Sequence, residues 1–329
     1  MGIDELISRL RGSLWLTQKR ELQRLWRVLP QTCNVDGEEV LIGDDAAALR
    51  TADGYLLLAA EGVYPPLLES DPYMAGRASV LANVNDIYAM GGRPTAILDV
   101  LFSRDDDEAE LVLKGIQDNA ARYKVPVLGG HLSPGAEGSA LSVFILGKGR
   151  ALLSSFNALP GDQLVFVFAS EGRFLNGYKF WDSSSRLPDH QVLEQLELLP
   201  RVAEEGLADT AKDVSMAGLI GTALMLLEGS GVGAEIDLEK VPRPSEGPLE
   251  HWLLTFPSFG FLLSLRSASA PRVRALFRGA GLTCETIGEV TKDRRVFFVS
   301  PAGARKLFWD FNDSSLVGIT PRPGTPGRN

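Results

Sequence analysis

Five carboxylates stand where an acid is locally costly, and they are the side chains of this chain best suited to chemistry. Asp86 lies inside Ala82-Asn83-Val84-Asn85-Asp86-Ile87-Tyr88-Ala89-Met90, a mostly apolar helical segment, so its charge must face solvent, a partner or a metal. Glu61 ends the apolar run Tyr55 to Ala60, and Asp44 and Asp45 follow the apolar Val40 to Ile42. Asp213 precedes a helix whose N-cap the pattern places at Ser215. Read singly, each has an ordinary explanation as a helix-surface, turn or capping residue. Read together, they are hard oxygen donors from separate elements, the kind of set that holds Mg2+ through a few carboxylates and substrate phosphates. Metals in such a site neutralise a transferred phosphoryl group and align it with its acceptor. Spacing alone leaves open whether the five converge.

Other chemistries find less support. The histidines are His131, His190 and His251, the cysteines Cys33 and Cys284, and no Ser-His-Asp or Cys-His arrangement stands out. Two cysteines supply neither a disulfide framework nor a four-cysteine zinc site, which fits a reducing cytoplasm. A Walker P-loop and a strand-to-helix G-x-G-x-x-G are both missing. With 42 acidic against 33 basic residues the net charge is -9, which disfavours binding to nucleic acid or anionic lipid. No apolar run approaches the roughly 20 residues of a membrane span, and the first residues lack the pattern of a secretory signal.

The elements that must position the carboxylates follow from pattern. A length of 329 residues suggests roughly two domains. Ile3 to Leu29 has helical apolar spacing, with a break near Gly12, and its basic residues Arg9, Arg11, Lys19, Arg20, Arg24 and Arg27 read as a solvated face. A strand at Tyr55 to Ala60, a helix from Pro72 to Met90 stopped by Gly91-Gly92, and a strand at Ala96 to Phe102 follow. Asp105 to Glu108 cap a helix to about Tyr123, and strands at Val125 to Leu128 and Ala140 to Leu146 surround Gly129-Gly130-His131. Leu152 to Asp162 reads as the join. Beyond it come strands at Gln163 to Ala169, Ala234 to Leu238, Gly260 to Leu265, Thr286 to Val290 and Val296 to Val299, with helices at Gln191 to Glu205, before Gly229 and at Pro271 to Gly279. The proline- and glycine-rich end from Thr320 reads as mobile.

Gly43-Asp44-Asp45-Ala46-Ala47, Asn83-Val84-Asn85-Asp86-Ile87-Tyr88-Ala89-Met90-Gly91-Gly92-Arg93-Pro94, Gly129-Gly130-His131 and Asp213-Val214-Ser215-Met216-Ala217-Gly218-Leu219 resemble the ordered motifs of the aminoimidazole ribonucleotide (AIR) synthetase superfamily. The resemblance spans about residues 36 to 310. It implies a fold of mixed α/β and α+β class: an N-terminal α/β domain forming a dimeric barrel interface, plus a C-terminal α+β domain. The divisions it suggests are a helical segment at 1–35, an ATP- and Mg2+-binding domain at 36–151, a second domain at 152–315 and a flexible tail at 316–329. It implies ATP bound with Mg2+, a homodimer and a small-molecule substrate. Carried over by position, Asp45, Glu61, Asp86 and Asp213 are metal ligands, Asp86 the central one, and Glu61 replaces the family's usual Asp. Gly43, Asp44, Asn83, Asp86, Gly129, Gly130, His131 and Ser215 are then ATP-binding positions.

Departures from the pattern narrow the reaction. His131 stands where thiamine-monophosphate kinase has Asp, and Met216 and Ala217 fall where that kinase has its second Asp, which argues against that activity. Cys33 lacks the glycine-rich context of the selenophosphate synthetases, and the end Pro-Gly-Arg-Asn lacks the cysteine of the hydrogenase-maturation member. The resulting expectation is a Mg2+-dependent enzyme that uses ATP to phosphorylate or activate a small metabolite. A non-catalytic ATP-binding scaffold and an ATP-dependent cyclo-ligase stand as alternatives.

Overall fold

Alternating apolar and polar residues between Ala47 and Gly149 produce a five-stranded sheet in the spatial order Ala47–Thr51, Gly54–Gly62, Ala140–Gly149, Arg93–Ser103, Val127–Pro134. All neighbours are antiparallel except the last two strands, which the helix Asp106–Arg122 connects in parallel. The computed structural model describes residues 2–175, 178–300 and 303–319. This sheet belongs to a compact unit formed by Asp45–Leu152 and Pro188–Pro200.

One face of the sheet, with Leu57, Ile97, Leu101, Val143 and Ile145, is buried. Ile87 of the helix Pro72–Ala89 lies against Gly147 and Gly92, where a side chain would overlap it. That helix packs against Asp106–Arg122 at Gly76 and Gly115, where a Cβ would strike the backbone oxygens of Val112 and Tyr73. Both helices begin on an aspartate: Asp71 accepts from Met74 N at 2.9 Å and Asp105 from Glu108 N at 2.8 Å, so the acidic run at 105–108 is capping chemistry as expected. The opposite face leaves Leu58, Leu98, Phe102 and Phe144 exposed, with Leu98 at 49% and Phe144 at 42%.

The other unit comprises the described residues of 1–44, 153–187 and 201–329. Its seven-stranded sheet runs Ala211–Asp213, Gly260–Leu265, Gln163–Phe168, Thr283–Thr291, Gly233–Asp237, Arg295–Val299, Arg305–Asp310. The helix Gly218–Ser230 is apolar on all sides and buried along nearly its whole length, so it is a core helix rather than a surface one. Phe166, Phe168, Trp181 and Trp252 form an aromatic cluster, and Phe298 stacks on Phe308 at 4.3 Å. A hairpin of Thr32–Val35 and Glu38–Leu41 turns at Asp36 and Gly37, both at positive φ as a two-residue turn requires.

Several expectations are corrected. The N-terminal helix is Ile3–Arg11 and Leu14–Arg20 followed by a 3-10 stretch, Glu21–Arg27, because Ser13 caps a new start after Gly12. It is no separate segment: Leu6, Ile7, Leu10 and Leu16 are buried in the second unit's core. Gly129-Gly130-His131 does not lie between two strands but within one, Val127–Pro134, so the strand expected to end at Leu128 continues through it. The stretch 191–205 is two helices, Asp189–Leu196 and Leu198–Glu204, and the first belongs to the five-stranded unit, although the expected boundary placed it in the second domain. Leu316, Val317 and Ile319 are buried and not a flexible tail, whereas the tail from Thr320 lies outside the described residues. The mixed α/β character and two-domain organisation agree with the sequence.

Candidate metal and nucleotide site

Asp86 is carried on the last turns of Pro72–Ala89, on a stretch buried on all sides from Asn83 to Ala89, and is itself only 5% exposed. Asp45 follows Gly43 and Asp44 just before the strand Ala47–Thr51. Carboxylate oxygens of Asp45 and Asp86 lie within 4.8 Å of each other. Two anionic oxygens so close, one of them buried, repel each other, and a hard divalent cation is the natural group to sit between them. The donor set therefore fits Mg2+.

The remaining expected residues take varied places. Asp213 ends the strand Ala211–Asp213 in the other unit, is buried, and its carbonyl accepts from Thr222 Oγ1 at 3.0 Å. Glu61 is exposed near the end of Gly54–Gly62, outside the carboxylate cluster. Asp44 accepts from Ser154 Oγ at 2.6 Å and from Ser155 N at 3.0 Å, which ties the residue before Asp45 to the segment that begins at Leu153. Asn83 is fully buried, and its amide nitrogen donates to Ser79 O at 2.9 Å, while its oxygen has no hydrogen-bond partner among the described residues. Gly130 is packed so closely by Asp99 that no side chain fits there, and burial pushes the Asp99 carboxyl up from its ordinary value. His131 is exposed, with Nε2 at 3.0 Å from Ser133 Oγ and its ring 6.2 Å from Phe102.

Ser215 is not the N-cap of the following helix. That place belongs to Ala217, at φ 80°, with Gly218 at φ 64° and donating its N–H to Ser215 O at 2.9 Å. A non-glycine residue held in the left-handed region is strained, and such strain gathers at functional loops.

Sequence reasoning missed three supports. Arg93, at the end of the glycine pair, is held by Glu197 at 2.9 Å, and burial together with Glu197 pushes the Tyr88 phenol well up. Ser154 and Ser155 carried no signal, being ordinary residues of the join. Glu228, within the apolar helix Gly218–Ser230, carried the signal that singled out Asp86, an acid inside an apolar helical run.

The profile described as the N-terminal domain of AIR synthase related protein matches residues 43–149, and that of the C-terminal domain matches residues 160–300. An uncharacterized protein of Synechocystis sp. is 41% identical over 97% of this chain and 99% of its own length. The thiamine-monophosphate kinase of Pyrococcus horikoshii is 31% identical over 62% of this chain and 69% of its own. In fold, PurL of T. maritima complexed with ADP superposes with a TM-score of 0.72 at 19% identity, covering 96% of this chain. This chain spans 54% of that PurL chain.

Proposed function

Because the chain belongs to the AIR synthase-related family, we propose that it is a Mg2+-dependent enzyme that uses ATP to phosphorylate or activate an oxygen of a small metabolite. The observation that carries this reading is the Asp45–Asp86 pair, two carboxylates held within 4.8 Å on a corner and a buried helix. The family motifs assign Asp213 as a further ligand in this reading, whereas Glu61, assigned with it, stands outside the carboxylate cluster. Mg2+ bound there would neutralise the phosphate oxygens of ATP and order them for transfer.

The chain's own residues do the rest. Asp44 fixes the corner through Ser154 and Ser155, so Asp45 is presented without rearrangement. Gly129, where the nearest atom to a built Cβ is Leu98 Cδ2 at 3.9 Å, leaves its backbone open to close approach of the nucleotide, while Gly43 and Gly130 enter this reading only as positions of the matched motifs. The buried Asn83 oxygen offers an acceptor and the Ser215 hydroxyl a donor. His131 and Ser133, hydrogen-bonded on an exposed strand, orient the phosphate or the acceptor. Thiamine-monophosphate kinase, though a relative, is a poor guide to the acceptor, since Met216 and Ala217 replace that enzyme's second Asp.

The exposed sheet face bearing Leu58, Leu98, Phe102 and Phe144 supports a homodimer, because a contiguous apolar face of this kind marks an interaction surface. Among the described residues no helix is long and apolar enough to cross a membrane. The free thiols Cys33 and Cys284 accord with the cytoplasm.

Calorimetric titration with a non-hydrolysable ATP analogue, with and without Mg2+, tests the site. Binding that requires Mg2+ is expected, followed by a substrate screen read by product mass. No binding in either condition would overturn the reading, binding without any product would favour the non-catalytic ATP-binding scaffold, and a cyclised product would identify a ligase.

A further inference from the structure

One end of a single helix grips the Gly43–Asp44 corner from two sides. On the first side Glu228, 1% exposed, accepts the N–H groups of Leu316 at 3.1 Å, Val317 at 2.8 Å and Gly318 at 3.1 Å. The carbonyls of this strap are taken by the N-terminal segment. Gln23 Nε2 donates to Ser315 O and Leu316 O, Trp26 Nε1 to Val317 O at 2.6 Å and Gln31 Nε2 to Gly318 O at 2.8 Å. The next residue, Ile319, fills the place of the missing side chain of Gly43, where a Cβ would lie 2.7 Å from Ile319 Cδ1 and 3.6 Å from the Trp26 ring. On the second side Ser230, two residues beyond Glu228, donates to Ser155 O at 2.8 Å, and Ser155 N holds the Asp44 carboxylate.

Gly43 sits at φ 111°, a conformation open to glycine, and has no side chain with which to anchor itself. Its place is set by what packs on it. A buried acid in an apolar helix is also a costly way to hold a strap if packing were the only need. We infer that Glu228 is a positioning residue for the proposed Mg2+ site: through the strap 316–319 it fixes the Gly43–Asp44 corner and hence the aim of Asp45, the next residue along the chain. The inference rests on the reading of Asp45 as a ligand.

Glu228→Gln places an amide donor among three N–H donors, and Ile319→Ala empties the contact on Gly43. Both are titrated with Mn2+ in the full chain beside Phe277→Leu, a core change elsewhere in the same unit. Backbone amide exchange at residues 44–46 is followed in the metal-free proteins. Both strap variants should weaken Mn2+ binding by roughly 10- to 100-fold, the usual effect of losing a residue that orients a ligand. They should also speed exchange at 44–46, whereas Phe277→Leu changes neither. Wild-type affinity in both strap variants overturns the positioning role and leaves the metal reading intact. If the wild type binds no Mn2+, the metal reading fails and the positioning role with it. Unaltered exchange in both strap variants overturns the brace itself.

Discussion

Asp86→Asn has two effects that pull in opposite directions. With Asp45 and Asp86 both ionised and their oxygens no more than 4.8 Å apart, Coulomb's law gives a repulsion of about 3.5 kcal/mol at an effective dielectric constant of about 20. A separation shorter than this bound would raise the figure, and other neighbours of both carboxylates offset part of it. Asparagine keeps the shape and removes one charge. The metal-free protein should therefore be stabilised by on the order of 3 kcal/mol less that offset, at roughly 2–4 °C in Tm per kcal/mol. The same change removes the charge that a divalent cation requires. Wild type at a Mg2+ concentration about 100 times its Kd should gain about 2.7 kcal/mol, and the variant nothing. Thermal unfolding followed by circular dichroism, once in chelator and once in Mg2+, measures both quantities. A variant that melts below wild type in chelator, or that still shifts upward with Mg2+, would refute the reasoning.

Burial pushes the Glu228 carboxyl above its ordinary value of 4.5, outweighing the three N–H groups it accepts. The folded state then binds the proton more tightly than the unfolded one, so this stability is complete below about pH 4.5 and is lost as pH rises through the raised value. In urea titrations across that window wild type should lose stability relative to Glu228→Gln, and parallel curves would contradict it. Gly76→Ala or Gly115→Ala drives a methyl into a facing carbonyl and should cost about 1–3 kcal/mol in urea unfolding. A neutral substitution would show that the two helices are not so closely packed. Leu98→Asp with Phe144→Asp should turn a two-chain species into single chains in sedimentation at micromolar concentration, with the fold retained; a doubly substituted protein that stays dimeric places the interface elsewhere.

Most of the fold was legible because its elements are long and regular. The helices at 72–89 and 106–122 carry their own caps and glycine stops, and the strands at 163–168 and 260–265 are apolar throughout. The strand through Gly129-Gly130-His131 was not legible beyond Leu128, since paired glycines interrupt the apolar pattern, when it is the close packing of Asp99 that requires Gly130. Nor was the place of Asp189–Leu196, because the residues it meets, such as Arg122 paired with Asp189 and Arg93 paired with nearby Glu197, lie more than sixty residues away in sequence. At the site, residue type nominated Asp45 and Asp86, and only the structure could show that they meet. Asp44 looks equivalent to Asp45 in the sequence, and its hydrogen bonds to Ser154 and Ser155 follow from no local pattern, since both serines lie about 110 positions away.

The division of the chain into interleaved stretches has a consequence for how the protein is made. The five-stranded unit lacks its last piece until residue 200 has emerged, and the N-terminal helices have their core only when the strands beyond residue 201 exist. At roughly 5–20 residues per second of synthesis, Leu6, Leu10 and Leu16 wait exposed for some tens of seconds on the ribosome. Cutting its gene at the midpoint would yield two fragments, neither of which contains a whole core.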